Sequence, residues 1–433
     1  MKTIYRPFAL VLALLLVLPA CDILEVDNPN NLVEDDLANP AAASAMANGV
    51  EASVTRALGA ILAPYSTATD ELTWVGSRDA WQQLDFGNVN NPLNEFTDAA
   101  FPYVGEARWL ADEFIDRLEA FKADGALRDD TPLARSYLYG AIIYVTIADM
   151  FDDFTFSDRR EAAPPVGPAN MGQLYDTAIG YLDQGLALNP SGELQTALLG
   201  MRARAKYSKA LWQKLNPNPN TGDPLINDAG AVADAQAALA SSNEPDWRYE
   251  LVLDPSSPNL VVGDLSMALQ VNNRLELRIG GTYIQPTDDG KKVEAVTLQD
   301  PIDGVVQPFL ESEITAFTDA RQYADITVVS AREMRLIIAE AALAQGNTGT
   351  FAEQINAIRT LDGLTAFSGQ IDAREMLIHA RQVYLFLQGR RLADLYRFGL
   401  RSSEWTSDGV AVQQPGTFLP ITIIEIRANP HLG

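Results

Sequence analysis

Residues 70–83 combine tryptophans with charged and amide side chains. The candidate ligand-binding residues in this segment follow no clear apolar period and are Trp74, Arg78, Asp79 and Trp81. Sugar rings present apolar C–H faces and a rim of hydroxyl groups, so a sugar site needs aromatic faces beside planar hydrogen-bonding side chains. The segment has that composition. The alternative interpretation is that both tryptophans belong to the core, where this residue type is usually buried.

A second group of candidates lies in the segment 242–328, which is rich in Pro, Gly, Asn and Asp. Tyr283 and Gln285 repeat the pairing of an aromatic ring with an amide. We expect loops 65–104 and 242–328 to form the ligand site together. Short runs such as 251–253 and 295–298 predict a few strands within an otherwise irregular insert.

Few residue types that perform catalysis or bind metals are present. The two histidines, His379 and His431, lie near the C-terminus, and Cys21 is the single cysteine. This disfavours a zinc site and a Ser-His-Asp triad. Nucleophile-elbow, P-loop and dinucleotide motifs are absent from the sequence, and no motif selects a glycosidase pair among the many carboxylates. We therefore predict no enzyme activity, no cofactor and no metal.

One run, residues 216–228, contains possible ligands for a cation. Residues 216–228 supply Asn and Asp oxygens, but the run lacks the Gly at the sixth position and the Glu at the twelfth that an EF-hand requires. We expect a solvated loop between helices there.

The charge balance restricts the partners. The 433 residues contain 32 Lys and Arg against 57 Asp and Glu, a net charge of −25. Phosphate backbones repel such a surface, so we predict no nucleic-acid binding.

The N-terminus has the pattern of an exported lipoprotein. Lys2 and Arg6 precede an apolar run over residues 8–18, which is too short to span a bilayer. The following Leu-Pro-Ala-Cys resembles the bacterial lipobox, which implies a signal peptide over 1–20 and lipid attachment at Cys21. The alternative is an ordinary thiol near a secretory cleavage site. Residues 21–40, acidic and rich in Asn and Pro, predict a flexible tether.

Most of the remaining chain has helical periodicity. Helices are expected over 40–62, from 106 into the 120s, and over 132–153, 171–188, 194–215, 229–240, 330–345 and 351–361, with a further pair over 373–398. Residues 65–104 show little helical order. Paired helices with short breaks indicate helical hairpins, and 174–190 resembles the second helix of a tetratricopeptide repeat. We predict one domain over 41–433, with helical parts at 41–241 and 329–433 around the insert 242–328.

The C-terminal third carries the most specific motifs. In 330–364 the matching positions of R-x-x-E-x-x-L-I-x-A-E-A and I-N-x-I-R are Glu333, Leu336, Ile337, Ala339, Glu340, Ala341, Ile355, Asn356, Ile358 and Arg359. In 381–399 they are Arg381, Leu385, Gly389, Arg391, Asp394, Leu395, Arg397 and Gly399. With the closing L-P-I…E…N-P, this pattern resembles the RagB/SusD family.

The resemblance implies a mainly α, SusD-like fold, in which tetratricopeptide-like hairpins form a scaffold and long irregular loops bind the ligand. It also implies a non-enzymatic, lipid-anchored protein on the outer face of the outer membrane. Such a protein binds a nutrient, typically a glycan, and delivers it to a SusC-like TonB-dependent β-barrel. The alternatives are a protein–protein scaffold without a small ligand and, least favoured, a surface glycoside hydrolase. Within the motifs, we expect Arg390, Arg391 and Asp394 to pair on one helix face.

Overall fold

The computed structural model describes residues 37–158, 161–216, 222–253 and 265–433. The expected signal peptide, Cys21 and the tether up to residue 36 lie outside the described residues, as does part of the 216–228 run. None of the described helices combines the length and the apolar character that crossing a membrane requires.

Helices dominate the described chain. The N-terminal half contains α1 (Ala43–Thr67), α2 (Asp79–Asp85), α3 (Glu95–Ala123), α4 (Thr131–Met150), α5 (Gln173–Ala187), α6 (Gly192–Leu215) and α7 (Ala229–Ser241). The C-terminal half contains α8 (Pro308–Asp319), α9 (Ala331–Ala344), α10 (Thr348–Leu361), α11 (Ala373–Tyr384), α12 (Arg391–Arg397), α13 (Val410–Gln413) and α14 (Ile423–Ala428). The prediction of a mainly α fold is confirmed.

Consecutive helices pack against each other. Contacts join α4 to α5, α5 to α6, α6 to α7 and α9 to α10, while α7 also contacts α9. The short helix α12 contacts both α1 and α6, so the C-terminal third packs back on the start of the domain. Side-chain caps define several helix starts; for example, Asn94 Oδ1 accepts hydrogen bonds from the amides of Phe96 and Thr97.

Short antiparallel ribbons connect distant parts of the chain. The strands are β1 (Leu72–Trp74), β2 (Arg248–Leu251), β3 (Leu277–Ile279), β4 (Ile284–Pro286), β5 (Val293–Val296) and β6 (Ile326–Ser330). They pair as β1–β3, β2–β6 and β4–β5. In β1–β3, Leu72 faces Ile279 and Trp74 faces Leu277, so this ribbon joins loop 65–104 to the insert.

Two segments expected to be irregular contain helices. Helix α3 begins at Glu95 rather than near 106, and it continues through Pro102, which is exposed. Helix α8 lies inside the insert, with Pro308 in its first turn and Phe309, Leu310, Ile314 and Phe317 buried. The 3.6-residue apolar spacing outweighs the Pro and Gly content of both segments.

The charged motif residues form buried ion pairs between elements. Arg397 bonds to both carboxylate oxygens of Glu340, which also accepts a 2.7 Å bond from the Tyr207 hydroxyl. Asp394 accepts 2.8 Å bonds from Nε of Arg381 and of Arg397. Burial alone would raise the pKa of Asp394, but these two guanidinium groups hold it below its ordinary value.

The expectation that Arg390, Arg391 and Asp394 pair locally is therefore wrong for the two arginines. Arg391 makes a bidentate pair with Asp70, at 2.7 and 2.8 Å, and Arg390 pairs with Glu333 at 3.0 Å. Both partners lie far away in sequence. Local spacing permits a helical pair, but a buried guanidinium is better satisfied by the bidentate geometry that a distant carboxylate provides.

Candidate ligand-binding site

Two of the predicted ligand residues are core residues in this structure. Trp81 has no exposed surface and stacks on Phe96, with ring centroids 3.7 Å apart and an interplanar angle of 11°. Tyr283 is equally buried and lies against Phe386, 4.8 Å between centroids. Neither ring has a free face, so we assign both to packing and leave them out of the candidate site.

The charged residues of the same loop lie at the surface. Arg78 is partly exposed, forms an ion pair with Glu95, and places its guanidinium 5.4 Å from the centroid of Phe96. Asp79 is exposed at the first position of α2. The Glu276 carboxylate fixes the turn before α2. It accepts hydrogen bonds of 2.8–2.9 Å from the backbone amide and the hydroxyl of Ser77 and from the backbone amide of Arg78.

Trp74 occupies an intermediate position in β1. Its ring is half-buried against the core, and its indole N–H is enclosed without a partner among the described residues. Its backbone amide donates to Asp85, 2.9 Å away, and the neighbouring Thr73 hydroxyl donates to the same oxygen at 2.8 Å. Burial raises the pKa of Asp85 to about 7.

Gln285 lies on the other surface element, the β4–β5 hairpin. Its side chain is exposed and donates a long 3.4 Å bond to Glu294 on β5. Glu294 in turn lines a groove of about 390 Å³ between this hairpin, β3 and α8. That volume is within the usual range for small-ligand sites. We take this groove as the candidate ligand-binding site.

The groove has an apolar floor and polar walls. Val271 and the buried Ile314 form the apolar part, together with the half-buried Val293 and Val296 of β5. Its polar lining consists of Asn272, Arg278, Lys291, Lys292, Glu294, Glu311, Thr315 and Thr318. The sequence analysis did not select these two lysines. The whole chain contains seven lysines, and only these two are adjacent, which is the signal that could have identified them.

The hairpin turn that carries the lysines is internally braced. The Thr287 hydroxyl donates to Asp289 at 2.6 Å, and the amide of Lys291 donates to the same carboxylate at 3.1 Å. The Lys292 amide donates to the Thr287 hydroxyl at 3.2 Å. Gly290 has a φ of 73°, which glycine adopts without strain. These bonds fix the backbone of the turn, from which both lysines line the groove.

Arg278 approaches the groove from β3. One of its terminal nitrogens donates to the carbonyl of Ile279 at 2.9 Å, while its Nε has no partner among the described residues. Burial lowers the pKa of Arg278 even though Glu404 and Asp85 are near enough to oppose that shift. Its positive charge is thus incompletely compensated.

Within the described ranges, no group of three or more His, Cys, Asp or Glu side chains is placed to hold a metal ion.

Similarity to known proteins is found in the structure of this chain. No family model matches the chain, and no curated protein matches it in sequence. A SusD superfamily protein from Bacteroides fragilis superposes with a TM-score of 0.63 at 13% identity, over 91% of this chain and 99% of its own. A second, from Bacteroides vulgatus, gives 0.60 at 16% identity, over 91% and 98%.

The chain has the SusD-like fold. A SusD-like carbohydrate-binding protein from Bacteroides vulgatus also superposes, with a TM-score of 0.52 at 12% identity over 84% of each chain. At such low identity the likeness concerns the fold, and the site must be argued from this chain's own residues.

Within the SusD-like fold, the motif residues that suggested the resemblance lie in the interior. Glu340, Arg359, Arg381 and Arg397 are all nine-tenths buried or more and ion-paired. Glu340, Arg381 and Arg397 link α9, α11 and α12, and Glu340 also accepts a bond from Tyr207 of α6. Arg359 of α10 instead pairs with Asp300 and Asp303 of the insert, and none of the four residues lines the groove. The motif thus identifies the scaffold, while the candidate groove lies in the insert, where the resemblance is weak.

Proposed function

We propose that this protein is a non-enzymatic, cell-surface lipoprotein that binds an oligosaccharide and delivers it to a SusC-like TonB-dependent barrel in the outer membrane. The observation that carries the proposal is the SusD-like fold, which extends over 99% and 98% of two SusD superfamily chains. A neighbour described as carbohydrate-binding supports the choice of ligand.

Two further observations support the proposal. The groove at the β4–β5 hairpin provides a concave polar surface for a small ligand. The single cysteine lies shortly after the apolar run at the N-terminus, which supports a lipid anchor at Cys21. The outward-facing position on the outer membrane is proposed from the family resemblance. We further propose that 41–433 forms one SusD-like domain, with the insert 242–328 as its main ligand-binding part, and that Arg78, Asp79 and Trp74 border the ligand surface.

A pull-down from outer membranes tests the proposal. The full-length protein with a C-terminal tag would be solubilised in mild detergent, and the copurifying proteins identified. We expect a TonB-dependent β-barrel in stoichiometric amount, and we expect its loss with the Cys21→Ser variant, which cannot be acylated. Binding of oligosaccharides without their cleavage would be measured on the same preparation.

The second candidate function predicts a different result. Stacked helical hairpins such as α4–α5 and α9–α10 are typical of protein-binding scaffolds. If the acylated, folded protein copurifies with other proteins but with no barrel, and binds no oligosaccharide, the scaffold function replaces our proposal.

A further inference from the structure

Lys291 and Lys292 differ from the other lysines of the described chain because their ammonium groups form neither an ion pair nor a hydrogen bond there. Lys122, Lys206 and Lys209 form ion pairs with Asp130, Asp234 and Asp176, respectively. Lys214 donates to the backbone carbonyl of Asp223 at 3.0 Å. By contrast, no ion pair of either hairpin lysine occurs within the described ranges.

This pair of free cations is unexpected in so acidic a chain. Acidic residues outnumber basic ones by 57 to 32, so most cations find a carboxylate nearby. Asp289 lies on the same turn and interacts electrostatically with both lysines, but its carboxylate accepts hydrogen bonds from the Thr287 hydroxyl and the Lys291 amide and forms no ion pair with either ammonium group. The ammonium groups therefore remain available to an external anion, at the rim of a groove that concentrates their field.

Arg278 of β3 adds a third cation to the lining of the groove. It has no carboxylate within ion-pairing distance in the described chain, and its Nε is enclosed and unpartnered. An anion in the groove would satisfy this guanidinium through a charge-assisted bond, which is stronger than a neutral one. Three cations that form no ion pair in the described chain thus line one cavity of about 390 Å³, together with the carboxylates of Glu294 and Glu311.

The rest of the lining indicates what kind of anion fits. Glu294 and Glu311 provide acceptors for hydroxyl groups, and Asn272, Thr315 and Thr318 add further polar atoms above an apolar floor. Among the described residues no aromatic ring lines the groove, so they do not provide the stacking that a neutral sugar would use. A ligand that combines many hydroxyls with negative charges matches both the three cations and the hydrogen-bonding side chains of the groove.

We infer that the groove between the β4–β5 hairpin, β3 and α8 binds an oligosaccharide that carries acidic groups, with Lys291, Lys292 and Arg278 contacting those groups. The inference rests on the proposed function, since it names the chemical class of the ligand. In this complex the three cations contact the acidic groups of the ligand, and Glu294 and Glu311 accept hydrogen bonds from the sugar hydroxyls.

The test compares matched saccharides on the full-length protein in detergent micelles. Oligogalacturonate and its methyl-esterified form share one backbone and differ in charge; chondroitin sulfate oligosaccharides and maltoheptaose extend the set to sulfate and to a neutral glucan. We expect acidic saccharides to bind and neutral ones to bind at least tenfold more weakly. Binding should also weaken as sodium chloride is raised.

Two double variants locate the effect. Lys291→Gln with Lys292→Gln should weaken acidic binding by roughly tenfold for each lost contact. Lys209→Gln with Lys214→Gln removes the same charge from α6 and should leave binding unchanged. Both variants change exposed or partly exposed side chains, and equal melting temperatures would establish that each is folded.

The outcomes separate the inference from the proposed function. Tight binding of maltoheptaose or the methyl ester, insensitive to the hairpin variant, would overturn the inference and leave the proposed function standing. Equal weakening by both variants would also overturn it, because long-range charge rather than the groove would then be responsible. If no saccharide binds, the oligosaccharide-binding function itself fails and the inference falls with it.

Discussion

Individual buried charges explain why the C-terminal motif has so specific a pattern. Arg397 contacts both Glu340 and Asp394, and Glu340 also accepts a 2.9 Å bond from the amide of Ile226. Removing one partner of such a pair leaves a buried charge without compensation, which typically costs about 3–5 kcal/mol. Each motif position is therefore constrained by several partners at once, and substitution of any one disturbs helices that are distant in sequence.

Glu71 is a buried carboxyl that lacks such a cationic partner of its own. It lies beside the Asp70–Arg391 pair and accepts a 2.7 Å bond from the amide of Leu387. Its other oxygen is unpartnered among the described residues. Burial raises the pKa of Glu71 from its ordinary 4.5 to about 8, so the folded protein holds this carboxyl in its neutral form at neutral pH.

The raised pKa predicts a pH dependence of stability with a definite sign. Between pH 4.5 and about 8 the folded state binds a proton that the unfolded state has released, so the free energy of unfolding falls as pH rises. Glu71→Gln keeps the acceptor for Leu387 and removes the titration. We expect the variant to gain stability over the parent protein as pH rises through this window, by at most about 1.4 kcal/mol per pH unit.

Urea unfolding at several pH values measures this difference. Other buried carboxyls, such as Asp85 and Asp152, also titrate with raised pKa values, but they are common to both proteins and cancel in the comparison. Glu193→Gln, an exposed position on α6, is the control and should show no such trend. Parallel stability curves for parent and Glu71→Gln would disprove the assignment of a neutral Glu71.

At the scale of elements, the β1–β3 ribbon connects the scaffold to the groove. Arg278 of β3 lies opposite Thr73 of β1, and the amide of Gly280 donates to the carbonyl of Glu71 at 2.8 Å. A Cβ atom at Gly280 would lie 1.9 Å from the Asp70 carbonyl oxygen. Since this neighbour is backbone, no side-chain rotation can relieve the contact, and the two chain segments approach this closely only with glycine.

Gly280→Ala should therefore destabilise the protein by about 2 kcal/mol or more, because the ribbon must separate locally. Gly281 provides a matched control: it is the next residue, it is exposed, and nothing lies within 4 Å of its added Cβ. We expect Gly281→Ala to change stability by less than about 0.5 kcal/mol. Thermal unfolding of both variants is the measurement, and equal melting temperatures would show that the close approach at Gly280 does not matter.

The elements also show how far the sequence alone could lead. Helices with regular apolar spacing, such as α4, α6 and α9, were predicted within a few residues. Helix α8 was not predicted, because the high Pro, Gly, Asn and Asp content of the whole insert indicates irregular structure. The helical spacing within α8 is carried by only four apolar residues, Phe309, Leu310, Ile314 and Phe317. The run 295–298 predicts a strand that overlaps β5 but begins two residues later. Strand β4 is too short, and too dependent on pairing with β5, to be distinguished from loop by composition.

The site was harder to predict than the fold, for a physical reason. Whether Trp81 or Tyr283 faces a ligand depends on which tertiary neighbours cover the ring, here Phe96 and Phe386. Local sequence does not contain that information. The adjacent lysines at 291 and 292 were visible in the sequence, but their lack of ion-pair partners appears only when every nearby carboxylate has been placed.

For the whole molecule, the proposed lipid anchor at Cys21 would determine how a bound ligand could reach the proposed membrane partner. Leu37 already packs on the core, and Asn39 caps the short helix Pro40–Ala42, so the domain begins close to this point. The residues between Cys21 and Leu37 would then set the distance available between the lipid anchor and the domain. Ten fully extended residues span roughly 33–36 Å.

This geometry predicts that tether length affects uptake but not binding. Deleting residues 25–34 leaves Cys21 and Leu37 in place. It removes most of the chain between them that would allow the domain to move away from the barrel, like a lid that opens. We expect uptake of the saccharide by whole cells to be lost and its binding to be unchanged. Replacing the same ten residues with a Gly/Ser sequence of equal length is the control and should preserve uptake. If the deletion variant takes up saccharide at the parent rate, the domain does not open by moving on this tether, and release must occur with the domain held at a fixed distance from the membrane.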